Sequence, residues 1–322
     1  MKDFFSRLIR REYEKGFISF EAVTLAYIVL TTVMIIVEWS ALRDPVGMLK
    51  ARGWALALIA AQMGLYRLYP CRVMVLIRTT FMFLLLIYWY PETYEFCSIF
   101  NYQDHIFAAI DYRVFGCQPS MVFDQLLSST FWYELFNMGY YSYYYIMIAT
   151  VAFYLFARYE RYEWACFVFI ASFFMFYFIF EFLPVAGPQY YYCVNGTEMG
   201  MTDQFPEMGH YFRDHREILP LEVRGFFSKM VLVTQETGEN PTAAFPSSHV
   251  GMTTVTMLLA WKSGSKRLFW ILLPFAVILF FATVYVKAHY AVDSVFGLVF
   301  GCLFYALNTR LFNKARKPLY IK

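Results

Sequence analysis

The sequence predicts an all-α integral membrane protein with about eight transmembrane helices. Three observations carry this. Of 322 residues, 60% are hydrophobic and only 16% are charged, more apolar surface than one soluble core of this length can hide. The apolar residues fall into runs approaching 20, the length that crosses ~30 Å of hydrocarbon. The basic residues gather in alternate connections between those runs, as the positive-inside rule requires.

Taken in order, the spans are Phe20–Trp39, Trp54–Tyr69, Val73–Tyr90, Phe136–Phe156, Trp164–Leu183, Val250–Trp261, Leu268–Val286 and Tyr290–Leu307. The second and sixth are short, and the sixth is expected to extend back through Ser247. Lys2, Arg7, Arg10, Arg11 and Lys15 precede the first span. Arg67 and Arg72, Arg158 and Arg161, and Lys262, Lys266 and Arg267 occupy later connections, and Arg310, Lys314, Arg316 and Lys317 follow the last span. With eight spans all of these fall on one side, so both termini are expected to be cytoplasmic. Arg43, Lys50 and Arg52 are the exceptions. The basic N-terminal segment reads as a retained anchor, because no small-residue cleavage site follows the first apolar run.

Two stretches are too polar to span, Pro91–Leu135 and Pro184–Phe245, and both fall on the outer side. The first keeps apolar patches at Ile106–Ile110 and Met121–Leu127, the pattern of interfacial helices. Cys71, Cys166 and Cys302 lie at or inside spans and read as packing residues, whereas Cys97, Cys117 and Cys193 face outward. Sequence cannot pair the latter three. His210 and His215 lack H-E-x-x-H spacing, which argues against a zinc protease. The net charge of +3 does not point to nucleic acid. The chain divides into 1–130 (cytoplasmic segment, extra spans and outer interfacial segment), 131–310 (membrane core) and 311–322 (basic cytoplasmic tail).

Two motifs carry chemistry: Phe245-Pro246-Ser247-Ser248-His249 and Lys287-Ala288-His289-Tyr290-Ala291-Val292-Asp293. The first precedes the sixth span and the second follows the seventh. A two-span hairpin therefore returns both histidines to the outer face. Gly187-Pro188-Gln189-Tyr190, after the fifth span, reaches the same face. His289 and Asp293 are one helical turn apart, so the carboxylate can fix the imidazole tautomer and leave the other nitrogen free to attack phosphorus. His249 can protonate the departing oxygen and later take a proton from the acceptor. Ser247, Ser248 and the amides of that helix start can hold phosphate oxygens, and Lys287 adds positive charge. A lone histidine at a helix end is more often a capping or interfacial residue, but both motifs on one face of so apolar a chain point to a site.

These residues resemble the type 2 phosphatidic acid phosphatase superfamily. Phe245–His249 is similar to its P-S-G-H motif, with Ser248 in place of Gly. His289 and Asp293 match its H-x-x-x-D element. The resemblance runs over roughly residues 130–307 and implies a six-helix core to which two N-terminal helices are added. It also implies roles: His289 as nucleophile, Asp293 orienting it, His249 as general acid, and turnover without metal or other cofactor. Where the phosphatases carry arginines, this chain has Thr283 and, in the first motif, Gln189, with no upstream lysine. A phosphate monoester nears a dianion and wants those cations, while a phosphodiester is a monoanion.

The pattern is similar to the sphingolipid synthases, in particular the inositol phosphorylceramide synthase-like branch, as is the segment Asp111–Pro119 followed by Tyr140–Tyr144. Within that segment, Asp111 and Arg113 read either as substrate-hydroxyl ligands or as local or solvent-facing charges. The resemblance implies a lipid phosphotransferase. It would move a headgroup such as phosphoinositol from a phospholipid donor to a ceramide-like acceptor through a phosphohistidine. Gln189 and Tyr190 would complete the substrate contacts. The alternative is a lipid phosphatase acting on phosphatidate or a polyprenyl diphosphate, and a third reading is a non-catalytic lipid-binding protein. Either enzyme would work at the periplasmic face of a bacterial inner membrane or the luminal face of a secretory membrane. Tyr190, Tyr191 and Tyr192 read as an interfacial belt or a lipid-groove lining.

Overall fold

The computed structural model describes residues 16–316. The basic N-terminal segment before Gly16, together with Lys317, lies outside the described residues. Within them are twelve α-helices and no strand. The helices are α1 Ser19–Val37, α2 Pro45–Leu68, α3 Arg72–Cys97, α4 Asp104–Phe115, α5 Pro119–Leu126, α6 Thr130–Ala157, α7 Tyr162–Phe182, α8 Pro188–Asn195, α9 Phe226–Gly238, α10 Ser248–Lys262, α11 Lys266–Tyr285 and α12 Ala291–Arg316.

Every predicted apolar run is a helix, but only five helices are long and apolar enough to cross a membrane: α1, α3, α7, α11 and α12. The other three fall short for separate reasons. α10 has 15 residues, about 22 Å at ~1.5 Å per residue, because Ser247 caps its start. α2 is capped by Asp44, whose side chain accepts from the Gly47 amide, and Lys50, Arg52, Gln62 and Arg67 interrupt its apolar residues. α6 is 28 residues long, but its many tyrosines dilute the apolar pattern.

The chain forms two compact units, one up to Tyr90 and one from Pro91 onward. In the first, the Arg78 guanidinium clasps the Glu21 carboxylate through two hydrogen bonds of 2.6 and 2.5 Å. Both side chains are almost wholly buried, and neither charge could be left alone in so apolar a setting.

In the second unit, α10 packs closely on α12. A side chain at Gly297 would meet the Ser247 carbonyl at 2.5 Å, and one at Gly301 would meet that of Gly251 at 2.5 Å. This Gly-x-x-x-Gly face lets two backbones touch, as in membrane helix pairs. Polar rungs add to it. Thr283 on α11 and Ser294 on α12 share a 2.8 Å hydrogen bond. Tyr154 on α6 donates to the Leu259 carbonyl at 2.8 Å, and Asn308 on α12 donates to Ser172 on α7 at 3.1 Å. The start of α10, the end of α11, the end of α7 and the start of α12 meet at one end of the bundle.

All six cysteines are free. Cys97 is buried at the end of α3, with its thiol 3.1 Å from the Thr242 hydroxyl. Cys302, read from sequence as a packing residue, is exposed.

Candidate active site

Ser247 caps α10. Its hydroxyl accepts from the Val250 amide at 3.4 Å, and its own N–H donates to the Asp293 carbonyl at 3.0 Å. That places His249 in the first turn of α10 beside the start of α12. His289 sits in the α11–α12 connection, where its N–H donates to the Thr283 carbonyl at 3.1 Å. The two imidazoles meet: His289 Nε2 is 3.4 Å from His249 Nδ1. The His249 ring lies between Tyr140, stacked at 4.6 Å, and Tyr143 at 4.5 Å.

His289 is only 3% exposed, and its Nδ1 lies 2.8 Å from the Ala244 carbonyl oxygen. A carbonyl only accepts, so Nδ1 carries the proton and Nε2 keeps its lone pair. This role was expected of Asp293. The Asp293 carboxylate instead accepts from the Tyr290 amide at 2.8 Å and stands 3.8 Å from His289 Nδ1. At that separation it makes no hydrogen bond to the ring. Burial lowers the His289 pKa to about 4, opposed by the Ala244 bond, so the ring is neutral at pH 7.

Gln189 approaches from the α7–α8 side. Its N–H donates to the Lys287 carbonyl at 2.9 Å, which lays the Gly187–Gln189 loop against the His289 loop. Its side chain donates to Glu239 at 2.7 Å and accepts from Gln235 at 2.8 Å. Tyr140 donates to the other Glu239 oxygen at 2.9 Å. Burial raises the Glu239 pKa, and these two bonds oppose it. Ser248 is buried in the first turn of α10.

The other predicted contacts are placed differently. The Lys287 ammonium is paired with Asp124 on α5. Tyr190, Tyr191 and Tyr192 are 2%, 0% and 0% exposed. They pack in a core with Tyr102, Phe107 and Phe212, because α8 is a short helix laid inside the outer segments. They form neither a belt nor a groove lining. Arg224 is paired with Glu222 and Arg216 donates to Asn240 at 2.9 Å.

Two carboxylates on α4 do more than sequence suggested. Asp104 and Asp111 are 1% and 0% exposed, so Asp111 does not face water. Asp104 accepts from the Ala186 and Gly187 amides at 2.9 and 2.8 Å and from the Tyr290 hydroxyl at 3.1 Å. Asp111 accepts from the Ala291 and Val292 amides at 2.7 and 3.0 Å, capping α12. Burial pushes both carboxyls up to about 6, against those hydrogen bonds. One face of α4 thus fixes both loops that flank the histidines. The signal was present in the sequence: Asp104, Phe107, Ala108 and Asp111 follow i, i+3, i+4, i+7, one buried stripe with an acid at each end. Arg113 is exposed on α4.

No group of three or more His, Cys, Asp or Glu side chains among the described residues is arranged to hold a metal. The arrangement offers a neutral imidazole nucleophile, a second imidazole within reach, and a helix N-terminus that can hold an anion. No significant match was found among curated proteins or among solved structures. The family model described as PAP2 superfamily matches residues 106–307. The match takes in α4 and α5 as well as the helices bearing both histidines, and the chain belongs to the PAP2 superfamily.

Proposed function

We propose that this protein is a membrane lipid phosphotransferase that moves the phosphorylated headgroup of a phospholipid onto the hydroxyl of a ceramide-like lipid. The observation that carries the reading is the neutral, carbonyl-locked His289 with Nε2 free and His249 3.4 Å away. In the first step Nε2 attacks the donor phosphorus. The bond from phosphorus to the diacylglycerol oxygen breaks, and His249, which gains its proton as the anionic substrate enters beside it, gives that oxygen the proton. In the second step the acceptor hydroxyl loses its proton to His249, its oxygen attacks phosphorus, and the P–N bond returns its electrons to His289. In-line displacement sets nucleophile and leaving group on opposite sides of phosphorus, so the imidazole contact opens as substrate enters.

Transfer is favoured over hydrolysis by the charges around the pair. Thr283, where phosphatases carry arginine, is bonded to Ser294. Gln189 is bonded to a carboxylate, and Lys287 is paired with Asp124. A phosphodiester fits this low-cation setting better than a dianionic monoester. With eight helices spanning, the site opens at the non-cytoplasmic face. The test is purified protein in vesicles with phosphatidylinositol and a fluorescent ceramide. Headgroup-bearing ceramide should form, and His289→Ala should abolish it. Phosphate release from phosphatidate with no lipid product would establish the phosphatase alternative.

A further inference from the structure

Lys287 stands two residues before His289 with φ 64°. Sterics make that left-handed conformation roughly tenfold less populated for a residue with a Cβ, and strain beside a nucleophile persists only where its surroundings hold it. Three anchors hold this one. The Lys287 N–H donates to the Val284 carbonyl at 3.0 Å, and its carbonyl accepts from the Gln189 amide at 2.9 Å. Its ammonium is paired with Asp124 on α5. The second carboxylate oxygen of Asp124 is buried and accepts no hydrogen bond, so that carboxylate leans on Lys287. α5 is in turn fastened to the end of α11: the Phe123 ring meets Tyr285 edge-on at 5.3 Å, and the Tyr285 hydroxyl donates to the Leu127 carbonyl at 2.7 Å. The Gln118 amide ties the other end of α5 to the Gly200 carbonyl at 3.1 Å.

We infer that Asp124 and Lys287 are positioning residues, whose ion pair holds the left-handed turn that carries His289 into place. This rests on the phosphotransferase reading, in which His289 is the nucleophile. The sequence alone suggested that the Lys287 ammonium meets phosphate. In the fold it is directed to α5, and an ammonium already matched by a carboxylate brings little net charge to a second anion. The Lys287 main chain lies nearer the chemistry than its charge does. Its carbonyl joins the Gly187–Gln189 loop to the His289 loop, and beyond the turn the His289 N–H reaches the Thr283 carbonyl at 3.1 Å. Without the ion pair, two main-chain hydrogen bonds alone oppose the preference of a Cβ-bearing residue for negative φ. The turn then relaxes and His289 moves with it. A glycine would need no such latch, because without a Cβ it takes positive φ freely.

The test sets Lys287→Ala against Lys287→Gly in the full-length chain, with phosphatidylinositol and fluorescent ceramide in vesicles. Both variants lose the ammonium and leave Asp124 equally unpaired, so they differ only in the freedom of the turn. Lys287→Ala should lose roughly ten- to hundredfold in kcat, the weight of a misplaced nucleophile, with KM nearly unchanged. Lys287→Gly should recover roughly tenfold of that loss. Asp124→Asn should fall like Lys287→Ala, and the double variant Lys287→Gly/Asp124→Asn should be faster than Asp124→Asn alone. Equal losses in the glycine and alanine variants overturn the proposal, and if carried by a raised KM they make the ammonium a phosphate ligand instead. Should Asp124→Asn fail to fold, the two Lys287 variants decide alone. Wild type that only releases phosphate from phosphatidate overturns the transferase reading, and the same variants compared on that release still decide the latch. Wild type that turns over neither lipid removes the nucleophile from the argument. Amide exchange across Val284–Tyr290 then decides: it should be faster in Lys287→Ala than in Lys287→Gly, and equal exchange overturns the latch.

Discussion

Gly187→Ala is the sharpest perturbation of the way the site is assembled. Gly187 has φ +100° and ψ 162°, a region open essentially to glycine alone, and a side chain held there costs about 1–3 kcal/mol. A Cβ would also lie 2.7 Å from the Ala288 carbonyl oxygen. That neighbour is backbone and cannot swing aside. Restoring ordinary contact at 3.4 Å requires the Gly187 and His289 loops to part by about 0.7 Å. Misplacement on the order of 1 Å costs about a hundredfold in rate. Gly187→Ala is therefore expected to lose up to about a hundredfold in kcat while melting lower by only the strain of one residue. Gly209→Ala is the control. It too has a positive φ, of 54°, but nothing lies within 4 Å of its Cβ, so it should lose stability and keep its rate. Initial rates of headgroup transfer and thermal melts in the same detergent read both. A Gly187→Ala protein within twofold of wild-type rate would refute the claim that this contact positions His289.

Three further outcomes follow from the same geometry. Because the Ala244 carbonyl and not Asp293 accepts from His289 Nδ1, Asp293→Asn should leave measurable transfer, lowered by roughly tenfold at most, since the ring keeps its Nδ1 partner; activity as low as that of His289→Ala would show that the carboxylate sets the tautomer. His289 titrates at about 4 folded against ~6.5 unfolded, a depressed pKa, so its contribution is present above pH 6.5 and lost as pH falls towards 4, at most about 3 kcal/mol; wild type should lose stability over that window faster than His289→Gln, and parallel pH–melting curves would contradict the burial. Asp104 and Asp111, raised to about 6, act in the opposite sense, their contribution fading as pH rises through 6, which is why the comparison must be with the His289 variant. A chelator should leave activity unchanged, and strict Mg²⁺ dependence would count against the histidine mechanism.

The apolar runs were legible because burial in lipid imposes length and composition on every helix. So was the meeting of the two motifs, since a two-span hairpin must return His249 and His289 to the same end. The acceptor for His289 was not legible. It is a main-chain carbonyl, and Ala244 has no side-chain signature for that role. Its placement depends on Ala243, which takes φ 67°, a conformation alanine rarely adopts and sequence does not announce. Tyr190–Tyr192 misled for a related reason. Aromatics at a membrane edge usually form a belt, but a tertiary layer of α4, α8 and the following loops covers these three. Asp104 and Asp111 were written plainly in helical spacing, and the prior that charges face water hid them.

The anion-binding capacity left at the site bears on what it can bind. Two helices present their N-termini there, and each should attract phosphate. At α12 the opportunity is gone, because Asp111 already accepts from the Ala291 and Val292 amides. At α10 the Ser247 hydroxyl takes the Val250 amide. The amides of Ser248 and His249 are first-turn groups without intrahelical acceptors. In the proposed reaction the phosphoryl group lodges at the α10 start beside the two imidazoles, with a helix dipole worth at most about 2 kcal/mol to hold it. The nearest lysine is neutralised by Asp124, and the carboxyl groups of Asp293 and Glu239 stand close by. A second negative charge on the substrate would enter with no partner at all. A diester brings one charge, which that helix start can hold.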